Sequence, residues 1–259
     1  MESLTHQVAP EAVTVASLAA TMERKPADNL IPAAGRWTFD ENVTQVFEAM
    51  LENSIPGYAD MRNWVTRFAL RFLPQEDGVV VDIGASRGDA LGPLLALRPR
   101  CSFHAVEVSE PMRKSMAGRF AGQPVAIRGD DLRYDHSVFE QRADVVLSVL
   151  TLMFIPIEYR TRLVNRIFES LKPGGAFLLV EKTIQQDPLL DEVFNEEYYR
   201  FKADNGYTAE AIYRKKLSLE GVLVPLTQQW NEDTLRAAGF RHVQVFWRAA
   251  NFCGILAVK

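Results

Sequence analysis

The stretch Val79-Val80-Val81-Asp82-Ile83-Gly84-Ala85-Ser86-Arg87-Gly88-Asp89-Ala90 constrains this chain more than any other. Three β-branched residues in a row read as a strand buried on both faces, as in the middle of a parallel sheet. Gly84 and Gly88 let the backbone turn sharply and approach a ligand closely. From Asp89 the pattern becomes helical, with Leu91, Leu94, Leu95 and Leu97 as an apolar stripe. A strand, a glycine turn and a helix N-terminus together make a cradle at the carboxyl edge of a parallel sheet. The spacing is not that of a dinucleotide site. Ser86 stands where G-x-G-x-x-G needs its second glycine, and an acid, Asp82, precedes the turn. An ordinary tight βα turn would look much the same, so the rest of the chain has to decide.

Beyond Ala90 the chain repeats the strand–helix alternation. A second strand over 102–107 ends in Glu107, roughly 20 residues past the turn, where a carboxylate can accept both hydroxyls of a ribose. Ser109-Glu110-Pro111 opens the next helix with a capping serine and an early proline. A third strand over 125–128 runs into Gly129-Asp130-Asp131, where an acid suits the exocyclic amine of an adenine. The fourth, over 143–150, is almost wholly apolar and therefore central; it leads to Thr151-Leu152-Met153-Phe154. A helix over 158–171 ends at Lys172-Pro173-Gly174-Gly175, and a fifth strand comes next over 176–181. Such alternation specifies a right-handed doubly wound sheet. Residues 187–222 interrupt it with a helical insert rich in tyrosine, lysine and arginine. The aromatics read as a substrate wall, a dimer surface or core packing, and the basic residues as a steer for an acidic substrate or RNA or as a solvated helix face. A last helix over 231–238 precedes two closing strands, 240–247 and 251–258, joined as a hairpin.

Before the sheet, helices over 39–54 and 61–72 form a cap, and Tyr58 sits in the Pro-Gly break between them, placed to wall the site. The 259 residues suffice for one large α/β domain. The organisation expected is an arm over 1–36 and a single domain over 37–259. That domain divides into a cap (37–73), a core (78–186), the insert (187–222) and the C-terminal helix and strands (228–259). A short amphipathic helix over 11–24 would make the arm a lid, a dimer contact or a loose terminus. A net charge of −4 gives no global pull toward nucleic acid or anionic lipid. Cys101 and Cys253 make no disulfide framework, which points to a reducing cytoplasm, and no apolar run reaches membrane-span length. No metal-ligand spacing stands out.

The glycine turn with its preceding acid resembles motif I of the class I S-adenosylmethionine-dependent methyltransferases. From about Phe39 onward the chain resembles one family more specifically, the carboxy-S-adenosylmethionine synthases, whose product serves wobble-uridine modification of tRNA. The matching features are Ser54-Ile55-Pro56-Gly57-Tyr58, Asp82-Ile83-Gly84-Ala85-Ser86, Leu171-Lys172-Pro173-Gly174-Gly175, Glu181-Lys182, Phe201-Lys202, Asn205-Gly206-Tyr207, Leu219-Glu220, Ala238-Gly239-Phe240 and Asn251-Phe252. The resemblance implies a Rossmann-like class I methyltransferase fold. Its sheet would have seven mostly parallel strands, the last antiparallel, helices on both faces and a helical insert before the last two strands, in a homodimer. It implies S-adenosylmethionine as cofactor, held by Tyr58, Asp82, Gly84, Ala85, Ser86, Gly88, Glu107, Val108, Asp130, Asp131 and Val149.

The family makes its carboxylated cofactor from S-adenosylmethionine and prephenate, with an insert arginine clamping the new carboxylate. At that position this chain has Lys216, a point charge in place of a planar fork, with Arg214 and Tyr199 as further candidates. Val149 stands where an asparagine is expected and Glu107 where an aspartate is usual. On these departures the sequence favours ordinary methyl transfer to a small molecule, an in-line displacement that needs alignment above all. Tyr58, Glu181, Tyr199 and Tyr213 are candidates for any base. Carboxy-S-adenosylmethionine synthesis is the alternative, and a non-catalytic partner subunit the second alternative. Neither a membrane nor direct nucleic-acid binding is expected.

Overall fold

The computed structural model describes residues 27–28 and 35–259; the helix expected over 11–24 lies outside them. Among the described residues eight α-helices and eight strands succeed one another: α1 (Glu41–Ser54), α2 (Tyr58–Phe72), β1 (Val79–Ile83), α3 (Leu91–Leu97), β2 (Ser102–Val106), α4 (Glu110–Arg119), β3 (Val125–Arg128), β4 (Ala143–Val149), α5 (Ile157–Ser170), β5 (Leu171–Ile184), α6 (Pro188–Asp204), α7 (Ala209–Leu219), β6 (Leu226–Thr227), α8 (Gln228–Ala238), β7 (His242–Ala249) and β8 (Phe252–Val258). The main sheet runs β3-β2-β1-β4-β5-β8-β7. Its first five strands are parallel, and β8 is antiparallel to both neighbours. The seven-stranded sheet closed by a hairpin is thus present, with the two-residue β6 pairing β5 off the main path as an unexpected eighth strand.

The two-residue period of a strand divides the core between the two faces of the sheet. Val80, Val145 and Leu178 pack with Met61, Val65 and Ala69 of α2 and with Leu91 and Leu94 of α3. Val81, Val146 and Phe177 face the other way, against Leu163, Val164 and Ile167 of α5 and Leu235 of α8. Both faces of β1 are therefore dry, as its β-branched run predicts. The order reverses between β1 and β4, and their carboxyl ends flank the crevice where ligands of open α/β sheets bind.

Several boundaries differ from the sequence reading for local reasons. α2 starts at Tyr58 because Gly57, in the left-handed region at φ 66°, caps it; Tyr58 is a first-turn residue, not a linker. α8 starts three residues early because Thr227 accepts the Trp230 N–H at 3.1 Å. β5 begins at Leu171, which pairs with Ala143. The register then shifts, so Lys172-Pro173-Gly174-Gly175 is an irregularity inside the strand and not a turn before it.

The insert comprises α6 and α7, each with a side-chain N-cap, Asp187 and Thr208. It is tied to the body by Asn205 Nδ2 donating to Asn53 O at 3.0 Å and by the Trp37 N–H donating to Ser218 O at 2.8 Å. Residues before the expected boundary at 37 join it. Ala27 is buried against Tyr207, Ala211 and Ile212, and Asp28 accepts the Thr208 N–H at 2.9 Å. Among the described residues no helix is long and apolar enough to cross a membrane.

Leu189, Leu190 and Val193 are exposed along the first turns of α6, as are Tyr213 and Leu217 on α7. If the expected homodimer closes on this insert, light scattering at micromolar concentration gives twice the chain mass and Leu189→Glu with Val193→Glu gives the monomer mass. A monomeric wild type would refute the expected assembly.

Candidate active site

A cavity of about 860 Å³ opens at the carboxyl ends of the strands, between the sheet, the cap helices and the insert. Carboxylates gather on one side and lysines on the other, with Arg62 near Asp82 and Glu220 at the end of α7 as lining groups of the other sign. On the β1–β3 side stand Asp82, Glu107, Asp130 and Asp131; Lys182, Lys202, Lys215 and Lys216 come from the end of β5 and from the insert.

On the acidic side Asp82 is 2 % exposed and its Oδ2 has no partner. Burial pushes its carboxyl up to about 7; nearby Arg62 opposes this, while Glu107 and Asp89 add to it. Glu107 Oε2 accepts the Ser86 N–H at 2.9 Å and Oε1 accepts the Ser109 N–H at 2.8 Å. Burial also raises the Glu107 pKa, against the pull of these bonds. Each oxygen keeps a lone pair for a ligand hydroxyl. The bond from Ser86 accounts for an oddity of the turn: Ser86 holds a left-handed φ of 51° without being glycine, in the conformation that delivers its N–H to Glu107. Gly84, at φ 66°, has no such latitude, since a Cβ there would lie 2.3 Å from Thr151 Cγ2. Asp130 is paired with Arg128, and both Asp131 carboxyl oxygens accept from Arg133 Nε at 2.9 and 3.0 Å, which lowers the Asp131 pKa.

The basic side is drier than a lysine side chain usually tolerates. Lys202 is 3 % and Lys215 7 % exposed. Lys202 Nζ lies over the Tyr198 and Tyr207 rings, and Lys182 Nζ is 4.7 Å from the centroid of Tyr198. Lys215 Nζ lies over Trp37 and donates to Ser54 Oγ at 3.3 Å, and Ser54 Oγ is 3.2 Å from Tyr207 Oη. Burial pushes all three amines down, Lys202 to about 8, and the lysines depress one another further.

Of the residues singled out in the sequence, Tyr58, Asp82, Gly84, Ala85, Ser86, Glu107, Val108, Asp130, Asp131, Val149, Tyr199 and Lys216 all line this cavity. Gly88 does not: a Cβ there would lie 2.2 Å from Phe120 Cε2, so its smallness serves the packing of α4 against the turn. Arg214 lies outside the lining and Tyr213 is 59 % exposed, because successive residues of α7 point to different sides. Glu181 is buried behind the cavity. Burial raises its carboxyl to about 8, opposed by nearby Arg160 and by the backbone N–H groups of residues 151–153. It is ill placed to be a base. Tyr58, pushed up to about 12 by burial, keeps its proton and acts as a donor. Reading the insert's basic residues as a solvated face holds for Arg200 and fails for Lys202 and Lys215. Among the charged lining residues, Lys182, Lys202, Lys215 and Arg62 were not assigned to the site from the sequence. Lys182 and Lys202 stand inside two of the motif pairs, which was the available signal.

A protein-family profile described as a methyltransferase domain matches residues 81–177. The carboxy-S-adenosyl-L-methionine synthase of Wolinella succinogenes is 36 % identical over 231 residues, covering 86 % of this chain and 94 % of that one. That of Methylococcus capsulatus is 38 % identical over 225 residues, covering 85 % and 93 %. Among solved structures, human N-acetylserotonin methyltransferase in complex with S-adenosylmethionine matches with a TM-score of 0.56 at 20 % identity. The match covers 85 % of this chain but 56 % of that longer one, a likeness of fold. S-adenosylmethionine fits the acidic side: Asp82 Oδ2 is an unpartnered acceptor for a cationic ligand, and Glu107 has acceptor capacity for ribose hydroxyls.

Gly84→Ala is expected to destabilise the fold by about 1–3 kcal/mol and to abolish binding of S-adenosylhomocysteine, as measured by thermal melting and calorimetry. A second expectation concerns pH. The folded chain holds a proton on Glu181 up to about pH 8, whereas an ordinary glutamate releases it near 4.5. This group's contribution to stability therefore falls as pH rises through that window, by on the order of a few kcal/mol. Glu181→Gln has no proton to lose, so its melting temperature declines less than the wild type's between about pH 5 and about pH 8. Parallel curves would contradict the assignment.

Proposed function

The chain belongs to the carboxy-S-adenosyl-L-methionine synthase family, and from that premise we propose that it carboxylates S-adenosylmethionine. In the net reaction the sulfonium methyl group loses a proton and its carbon bonds to a carboxyl carbon that leaves the donor as carbon dioxide. The electron pair left behind expels the donor's ring hydroxyl, and hydroxide and proton combine as water. Prephenate is the donor that the family resemblance implies.

The sequence alone ranked ordinary methyl transfer first, because Lys216 lacks an arginine fork and Val149 makes no side-chain hydrogen bond. The relatives favour the alternative, and the observation that carries it is the company Lys216 keeps. It lines the same cavity as Lys182, Lys202 and Lys215, opposite Asp82 and Glu107. A wall with four lysines can meet more than one carboxylate, so Lys216 does not act in isolation. A neutral methyl acceptor would give the buried amines of Lys202 and Lys215 no anionic counterpart. The non-catalytic reading is disfavoured because the unpartnered Asp82 Oδ2 is costly to keep without a ligand.

When bound, S-adenosylmethionine supplies a methyl carbon acidified by the adjacent sulfonium. The chain's residues do the rest of the positioning. Glu107 takes the ribose hydroxyls, Asp82 faces the cationic part of the ligand, and Tyr58 donates from the cap. Lys216 pairs with the carboxylate of the product.

The test is incubation with S-adenosylmethionine and prephenate, followed by mass analysis of the nucleoside. The expected product is heavier by one carboxyl group, and Lys216→Ala loses it or binds it roughly 10- to 100-fold more weakly. Methyl transfer to an added acceptor, with no carboxylated nucleoside, would overturn the proposal.

A further inference from the structure

Burying an ammonium is expensive unless an anion meets it. Among the described residues, Lys202 and Lys215 form no ion pair. The hydrogen bond of Lys215 is to the neutral Ser54 hydroxyl. The acid that acts on Lys182 is Asp191, whose carboxyl oxygens already accept the Gln185 N–H at 2.8 Å and Asn195 Nδ2 at 2.9 Å. Asp28, near Tyr207, is occupied by the Thr208 N–H.

The three lysines converge from three elements, β5, α6 and α7, onto one wall of the cavity. Their neighbours Tyr198 and Trp37 present ring faces that hold the amines in place without neutralising them. A fold that assembles such a wall opposite an acidic one has room for two ligands of opposite charge. A cavity of about 860 Å³ is large for a single nucleoside.

We propose that Lys182, Lys202 and Lys215 form a subsite that binds the carboxylate of the second reactant, the carboxyl donor, apart from Lys216, which meets the carboxylated nucleoside. The inference rests on the carboxylating reading for the name of the donor, and for the existence of the subsite on the buried amines of Lys202 and Lys215, which have no ion-pair partner, with half-buried Lys182 beside Tyr198. Tyr198 and Trp37 give it an apolar wall suited to a ring-bearing acid. An anion seated there opposes the downward push that burial and the neighbouring lysines exert on these amines and favours their charged forms.

Calorimetric titration of prephenate into the protein saturated with S-adenosylhomocysteine tests this on wild type, Lys202→Met and Lys215→Met. Methionine fills the lysine stem's space without its charge, and affinity for S-adenosylhomocysteine serves as the check on folding. The part of the tryptophan emission change that Trp37→Phe removes gives a second readout of occupancy, since the Trp37 ring centroid lies 5.2 Å from Lys215 Nζ. Both variants are expected to bind prephenate roughly 10- to 100-fold more weakly with unchanged S-adenosylhomocysteine affinity. Unchanged prephenate affinity in Lys202→Met overturns the subsite, even if the wild type forms carboxylated nucleoside, in which case the functional reading stands. Lysine-dependent prephenate binding without carboxylated product has the opposite meaning: the subsite stands and the functional reading falls. A wild type that binds no prephenate overturns the subsite.

Discussion

Charge stripped of water is the constraint on which this site depends. The carboxyl of Asp82 and the amines of Lys202 and Lys215 are all buried, and all shift toward their neutral forms. Such groups are tolerated only where a ligand completes them or surrounding structure holds them rigidly. Here they face one cavity from opposite sides. The acids fit a sulfonium nucleoside, and the lysines fit carboxylates. An exposed pair of like groups would bring far weaker selection, because water would screen both.

The fold keeps the two sets apart. β1, β2 and β3 run parallel, so their carboxyl ends deliver Asp82, Glu107, Asp130 and Asp131 to one edge of the crevice. β5 lies beyond β4 on the other side and delivers Lys182, while α6 and α7 fold back to bring the remaining lysines. The insert is held by contacts that also shape the site. Tyr207 reaches Ser54 at the end of α1, and Ser54 accepts from Lys215. Loosening the insert would therefore unseat a lysine as well as a helix.

The sheet and the acidic side were legible in the sequence because they obey local rules. A β-branched run, a glycine turn and an acid at a strand end each declare themselves within a dozen residues. Glu107 past β2 is found that way, whereas Tyr58 at the Pro-Gly break needs the family resemblance; both line the cavity. The lysine side was not legible, because its meaning is tertiary. Lys215 and Lys216 are adjacent in sequence, yet one is buried and the other exposed. Helical periodicity alone did not show which side α7 would turn inward. Glu181 erred in the other direction: an acid at a strand end looks like a site residue, and here it faces the backbone of residues 151–153 behind the cavity. Gly88 likewise reads as a ligand contact but is required by Phe120.

The proposed function requires a cavity that favours a nucleoside bearing an added negative charge. Calorimetry with S-adenosylmethionine and with its carboxylated form, on the same protein at the same ionic strength, tests it most directly. The carboxylated form is expected to bind at least about tenfold more tightly, the worth of one charge-assisted contact. Equal affinity, or a preference for S-adenosylmethionine itself, would contradict it.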